Sequence, residues 1–166
     1  MNKLFQILIY GYGNPGRQDD GLGNELVKRL EKWTVNEGMA GIGFDSNYQL
    51  NIEDAEIISG KDLVIFADAS VEDIDDFLIT RVTGEKEVSF TTHAASPGYI
   101  VKLCHELFNK QPDVFLLHIK GYKWEFQEGL SNEAMINLEK ALEYIKPILK
   151  DPVSWLNEQK IKQQSG

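Results

Sequence analysis

The sequence has one cysteine, few basic residues and no long apolar run, and each shortage excludes a class of function. Because Cys104 is the single cysteine in 166 residues, no disulfide framework and no cysteine metal cluster can form. The net charge of -9 opposes binding to nucleic acid and to anionic membranes. No apolar run approaches the roughly 20 residues that span a bilayer, and no signal peptide is evident. We therefore expect a cytoplasmic protein.

Strand and helix patterns alternate along the chain, which predicts an α/β fold. Apolar or alternating segments predict strands at residues 5–9, 39–44, 63–67, 77–82 and 114–119. Helical spacing and capping residues predict helices that begin near Gly21, Glu53, Pro97 and Ser131. This order predicts a three-layer sandwich, in which a mainly parallel twisted sheet of about five strands carries helices on both faces.

The predicted strands and helices fit a single domain. We expect this domain to cover residues 1–150, with Pro147 bending or ending its last helix. The charged and glutamine-rich residues 151–166 predict a loosely held C-terminal tail. No internal repeat or linker interrupts the domain.

Three residues that could perform chemistry follow apolar segments: Asp20, Asp68 and His93. Since parallel strands end at the same edge of a sheet, we expect the three to lie within about 10 Å of one another. Two carboxylates and one imidazole suit a divalent transition metal, which could polarise a carbonyl or activate water. Without a thiolate such a set holds its metal weakly, unless a substrate supplies further ligands.

Each candidate also has an ordinary structural interpretation. Asp68 could be a turn residue, Asp19 and Asp20 could favour the dipole of the following helix, and a single histidine is often a surface residue. The glycines at 11–16 do not form a dinucleotide site, because two acids stand where a pyrophosphate would bind. Structural roles are also predicted for His105, His118 and Cys104.

Four motifs in this order resemble those of the hydrogenase maturation proteases: Gly11-Tyr12-Gly13-Asn14, Asp19-Asp20-Gly21-Leu22-Gly23, Ile65-Phe66-Ala67-Asp68-Ala69 and Thr92-His93. The resemblance covers the chain from Phe5 to about Ile145. It implies an aspartyl-type endopeptidase that removes the C-terminal extension of the nickel-loaded [NiFe]-hydrogenase large-subunit precursor. It implies no organic cofactor, no nucleic acid and no membrane partner.

The resemblance also implies the roles of individual residues. Asp20, Asp68 and His93 would be the catalytic residues and the nickel ligands, with the nickel supplied largely by the precursor, while Asp19 shapes the turn. Many family members carry Gly-Gly-Thr after the second strand, where this chain has a different segment with Gln49 and Leu50. We expect these two residues to contact the substrate. Because this segment departs from the family pattern, the sequence does not identify which hydrogenase is processed.

A second loop could also contact a protein partner, and two alternative functions are possible. Aromatic residues at 122–126 favour a protein partner, unless Trp124 and Phe126 fold into the core. A peptidyl-tRNA hydrolase also opens with strand-Gly-x-Gly-Asn-Pro-Gly, but it needs a nearby histidine and a charge suited to tRNA. A nickel-dependent chaperone module that holds the precursor without cleaving it would use the same three ligands.

Overall fold

The computed structural model describes residues 3–84 and 95–165, which form a five-stranded sheet between two layers of helices. The strands are β1 (Ile7–Tyr12), β2 (Ile42–Asn47), β3 (Leu63–Ser70), β4 (Phe77–Arg81) and β5 (Asp113–Lys120). The helices are α1 (Leu22–Asn36), α2 (Asp54–Ser59), α3 (Pro97–Phe108), α4 (Asn132–Lys150) and α5 (Pro152–Gln164), and a 3-10 segment covers Pro15–Gly21. The predicted α/β class and the mainly parallel sheet are confirmed.

The strand order is β2-β1-β3-β5-β4, with every neighbouring pair parallel except the antiparallel pair of β4 and β5. Four strands therefore end at one edge, which we call the carboxyl edge. The predicted edge strand is β4. β3 extends past its apolar run to Ser70 because it stays paired with β5 through Lys120. Asp68 thus lies inside β3 rather than beyond its end.

The two faces of the sheet are covered by different helices. On one face, alternate residues of β1, β3 and β5 pack against α1, α4 and α5. On the other face, the remaining residues of these strands pack against α2 and α3, where Cys104 is fully buried as predicted. Burial on both faces explains why the central strands are continuous apolar runs.

The C-terminal segment differs from its prediction in two ways. α4 continues through Pro147 to Lys150, since the proline removes only one N–H from a helix that has three residues left. Where a loosely held tail is predicted, the chain forms α5. Trp155 and Leu156 of this helix are buried, and the Trp155 ring lies edge-on to Phe115 at 4.6 Å. Two buried side chains in one turn are too few to produce an amphipathic pattern.

None of the helices that the structure describes in residues 3–84 and 95–165 has the length and apolar character needed to cross a bilayer.

Candidate active site

The turn after β1 positions Asp20 by folding back on itself. Gly13 has φ +145°, and a Cβ atom there would lie 2.0 Å from the backbone oxygen of Asp20, so this position needs glycine. The backbone N–H of Asn14 donates to Oδ2 of Asp20 at 2.9 Å. The first residues of the turn therefore hold both the backbone and the carboxylate of Asp20.

Close packing between α1 and the sheet brings this turn toward β3. A Cβ atom on Gly23 would lie 2.2 Å from the backbone oxygen of Ala67, and one on Gly11 would lie 2.1 Å from the oxygen of Gly23. The first turn of α1 can thus touch both β1 and β3. This contact explains the glycines on either side of Asp20 and places the residue near Asp68.

Asp68 is partly buried at the carboxyl edge, and its surroundings disfavour its charged form. Burial first, and then the negative charge of Asp20, raise the pKa of Asp68 to about 7. The nearby backbone N–H of Ala69 and hydroxyl of Tyr12 favour the charged form and offset part of this rise. The structure therefore brings Asp20 and Asp68 close enough to interact, as the sequence predicts.

Tyr12 is a site residue that the sequence analysis missed. Its hydroxyl lies near Asp68: burial first, and then the charge of Asp68, raise the pKa of Tyr12. The phenol therefore stays protonated and remains a donor. Strand register could have revealed it, because Gly11 pairs with Ala67 and the next residues, Tyr12 and Asp68, are neighbours at the same level of the sheet.

Asp19 has a structural role, as the turn-shaping interpretation predicts. Its side chain is fully buried and accepts hydrogen bonds from the backbone N–H groups of Tyr122 (2.7 Å), Lys123 (3.0 Å) and Ser131 (2.7 Å). The hydroxyl of Ser131 donates a fourth, at 2.7 Å. Burial alone would raise the pKa of Asp19, but these bonds outweigh it and hold the pKa below its ordinary value.

The third predicted ligand, His93, lies outside the described residues. The predicted convergence of His93 with Asp20 and Asp68 therefore stays a prediction. Within residues 3–84 and 95–165, no three His, Cys, Asp or Glu side chains form a group that could hold a metal ion. His118 pairs with Asp68 in the register of β3 and β5, but its Nε2 bonds to Oγ1 of Thr80 at 3.0 Å.

The loop after β2 exposes one predicted substrate contact and buries the other. Gln49 is exposed, whereas Leu50 has 1% of its surface accessible and packs in the layer of α2 and α3. The Leu50 side chain therefore anchors the loop and is not offered to a partner. Its neighbours Tyr48 and Ile52 are exposed by 74% and 59%, so the loop does present apolar surface.

A network of buried hydrogen bonds holds the base of this loop. The hydroxyl of Tyr10 donates to Oδ2 of Asp54 at 2.9 Å and accepts a bond from the Asn47 side chain at 2.7 Å. The backbone N–H of Asn51 also donates to Asp54, at 2.8 Å. Burial, the largest cause, raises the pKa of Tyr10, so its hydroxyl stays a donor.

The loop after β5 carries the aromatic residues that favour a protein partner. Phe126 is 86% exposed and Tyr122 is 42% exposed, whereas Trp124 is partly buried. The guanidinium of Arg17 lies 5.1 Å from the centre of the Phe126 ring and donates to the backbone oxygen of Trp124 at 3.3 Å. Phe126 thus does not fold into the core, and the loop contacts the turn that holds Asp20.

Comparisons with known proteins agree with the motif resemblance, although no family model matches the chain. The chain is 28% identical over 154 residues to a protein of Methanocaldococcus jannaschii that is named as a hydrogenase maturation protease. The match covers 86% of this chain and 96% of the relative. The resemblance to the hydrogenase maturation proteases is thereby confirmed, and a peptidyl-tRNA hydrolase is not favoured.

Solved structures of such proteases share the fold. The [NiFe] hydrogenase maturation protease HycI from Thermococcus kodakarensis superposes with a TM-score of 0.70 at 22% identity, covering 88% of this chain and 93% of that chain. The hydrogenase maturating endopeptidase HybD from Escherichia coli has a TM-score of 0.64 at 21% identity, covering 90% and 94%. The five-stranded sheet with its helical layers is therefore the fold of these endopeptidases.

Proposed function

We propose that this protein is an endopeptidase that removes the C-terminal extension of a [NiFe]-hydrogenase large-subunit precursor. The observation that carries the proposal is the pairing of Asp20 and Asp68 at the carboxyl edge, in motifs that resemble those of the maturation proteases. The similarity to the M. jannaschii protein over most of both chains supports it. We also propose that the protein acts in the cytoplasm.

The donor set suits nickel that arrives with the substrate. Asp20 and Asp68 lie close enough for one charge to oppose the other, and a divalent cation would relieve that opposition. His93 would be the third ligand from this chain, and thiolates of the precursor would complete the set. Nickel bound there would polarise the scissile carbonyl or a water molecule.

The residues of the chain itself would orient the site and move a proton. Asn14 holds the carboxylate of Asp20 through its N–H, and the protonated hydroxyl of Tyr12 would orient that of Asp68. A carboxyl group with a pKa of about 7 is suited to exchanging protons with water near neutral pH. If nickel binds one oxygen of Asp68, the other oxygen would take a proton from the attacking water and return it to the leaving amine.

The surfaces beside the site suit a protein substrate. Tyr48 and Gln49 on one loop and Tyr122 and Phe126 on the other are exposed at the carboxyl edge. Exposed aromatic side chains are common at protein interfaces, where they supply large contact areas. We propose that these loops contact the folded precursor while its extension enters the site.

The test is a cleavage assay with purified precursor in nickel-loaded and nickel-free forms, followed by mass spectrometry of the large subunit. We expect cleavage of the loaded form alone, and its loss in Asp68→Ala, Asp20→Asn and His93→Ala. Asp113→Asn is the control, because it removes a carboxylate that bonds to Arg81 at 2.9 Å at the opposite edge of the sheet.

Each other outcome contradicts a defined part of the proposal. Equal cleavage of both precursor forms would show that the protein is a protease that does not recognise nickel. Tight binding of the nickel-loaded precursor without any cleavage would indicate that the protein is a chaperone module and not a protease. Full activity in Asp68→Ala would show that the Asp20–Asp68 pair is not the site.

A further inference from the structure

The turn that carries Asp20 is bonded along its length to the loop after β5. The backbone N–H of Asp19 donates to the oxygen of Lys123 at 3.1 Å, and that of Gln18 donates to the oxygen of Gln127 at 2.9 Å. The N–H of Glu125 donates to the side-chain oxygen of Gln18 at 3.1 Å. Two loops that are far apart in sequence therefore form one bonded unit at the carboxyl edge.

The carboxylate of Asp19 lies at the centre of this unit. It is fully buried, and its four hydrogen bonds all come from residues of the loop after β5, which spans positions 121–131. The packing is tight, since a Cβ atom on Gly121 would lie 2.8 Å from Cβ of Asp19 and 2.8 Å from the ring of Trp124. Loop 121–131 is therefore packed tightly against Asp19.

The backbone of the turn itself is held in a strained conformation. Gln18 has φ +47° and ψ -115°, values that a residue with a side chain rarely adopts. Such a conformation persists only where surrounding contacts enforce it, and it occurs preferentially at functional sites. The bonds from Glu125 and to Gln127 enforce it here.

Asp20 is therefore fixed from two sides. On one side, Gly13 packs against its backbone and the N–H of Asn14 binds its carboxylate. On the other side, the preceding residue, Asp19, is bound to loop 121–131. If that loop were released, the strained turn could relax, and the Asp20 carboxylate would leave the N–H of Asn14.

We propose that Asp19 is a positioning residue that makes loop 121–131 part of the active site: its buried carboxylate ties the loop to the turn and thereby fixes the carboxylate of Asp20. The hydrogen bonds of Asp19 join two segments that are more than 100 residues apart, so they fix the position of the loop relative to the turn that carries Asp20. The catalytic consequence rests on the proposed function, whereas the positioning does not.

The experiment perturbs the contact between the turn and loop 121–131 by one variant in each segment. The position of the Asp20 carboxylate is followed through its hydrogen-bond partner, the N–H of Asn14. Asp19→Asn keeps the size but puts an NH2 group among N–H donors, and Gly121→Ala keeps the carboxylate but wedges the loop away. The Asn14 amide signal in a 15N spectrum reports whether the Asp20 carboxylate is in place. Thr34→Val is the control, because Thr34 is buried and bonds only locally, to the Glu31 oxygen at 2.9 Å.

We expect both site variants to shift the Asn14 amide signal and to speed its hydrogen exchange at least ~10-fold relative to the control. With nickel-loaded precursor we expect kcat to fall ~10- to 100-fold while KM changes less than ~2-fold, the range typical of residues that orient a reacting group. Thr34→Val should lower Tm and change neither quantity. Ser131→Ala, which removes one of the four bonds, should give a smaller shift in the same direction.

The inference is overturned if the Asn14 amide in the site variants behaves as it does in Thr34→Val. If Asp19→Asn does not fold, Gly121→Ala and Ser131→Ala decide the matter by the same signal. The amide measurement needs no substrate, so it stands if wild-type protein cleaves no precursor. In that case the proposed function fails while the positioning role of Asp19 is still decided.

Discussion

Asp19 and Asp68 lie at the same edge of the sheet and are both withdrawn from solvent, yet their pKa values move in opposite directions. Burial pushes both values up. Asp19 receives four hydrogen bonds from Tyr122, Lys123 and Ser131, which hold its pKa below the ordinary value. Asp68 has fewer donors and faces the charge of Asp20, so its pKa rises to about 7.

Such a difference is expected between a structural carboxylate and a reactive one. A fully buried carboxylate that accepts four hydrogen bonds is closed to a substrate or a metal, and it keeps its charge at neutral pH. A carboxylate that is short of donors and close to a like charge gains from any proton or cation that approaches it. Asp68 is of the second kind, which supports placing the chemistry there.

The largest expected effect comes from Asp68→Asn, which removes the reactive charge and keeps the size. We expect cleavage of nickel-loaded precursor to fall about 1,000-fold or more, as when a group that acts on the reacting atoms is lost. The measurement is single-turnover cleavage at pH 7. Activity within a few fold of wild type would remove the distinction between the two aspartates.

The same substitution should stabilise the protein at alkaline pH. In the wild type the folded state binds more protons than the unfolded state between about pH 4 and pH 7, so Asp68 lowers stability as pH rises through this window. At pH 8 we expect Asp68→Asn to be more stable than wild type by about 4 kcal/mol, and at pH 4 the difference should nearly vanish.

Denaturant unfolding without added metal, at both pH values, measures this difference. The Asp113→Asn control removes an ion pair instead of a repulsion, so it should show no gain at pH 8. A gain of equal size in the control, or none in Asp68→Asn, would mean that Asp68 is not under electrostatic strain.

Tyr10→Phe extends the comparison to a third buried carboxylate. Asp54 accepts bonds from the hydroxyl of Tyr10 and from the N–H of Asn51, so it has fewer donors than Asp19. Removal of the Tyr10 hydroxyl should cost about 1 kcal/mol in the free energy of unfolding, because Oδ2 of Asp54 keeps only the bond from Asn51 and Nδ2 of Asn47 loses its acceptor. Thermal unfolding would check this, and an unchanged Tm would mean that the network contributes nothing.

Gln49→Ala should have the smallest effect on stability and a visible effect on recognition. Because Gln49 is exposed, we expect a change below about 0.5 kcal/mol in unfolding, together with a higher KM for the precursor. Leu50→Ala, by contrast, should destabilise the fold by about 2–4 kcal/mol, since the side chain is buried. An unchanged KM in Gln49→Ala would argue against a contact with the substrate.

Sequence periodicity was sufficient to predict the layers of this fold and the positions of two residues of the candidate site, Asp20 and Asp68. Continuous apolar runs predict buried parallel strands, and strand ends predict that Asp20 and Asp68 meet, because the geometry of a parallel sheet enforces it. The capping residue Ser131 is also predictable, since its hydroxyl accepts from the N–H of Ala134 at 3.2 Å. These features depend on short stretches of chain.

The features that escaped prediction depend on contacts between distant segments. Tyr12 belongs to the site through strand register, and the bonds of Asp19 cross more than 100 residues. Leu50 looks like an exposed loop residue in the sequence, but it is buried because α2 and α3 cover it. No local pattern distinguishes Asp19 from Asp20 until loop 121–131 is in place.

We propose that Asp68, paired with Asp20, is the reactive carboxylate and that Asp19 is structural. The most direct test of this assignment is a 13C titration of the aspartate carboxyl carbons in the metal-free wild type and in Asp20→Asn. We expect the pKa of Asp68 to be about 7 in the wild type and lower in Asp20→Asn, with the pKa of Asp19 below its ordinary value in both. An Asp68 that titrates at its ordinary value, or that ignores Asp20→Asn, would contradict the claim.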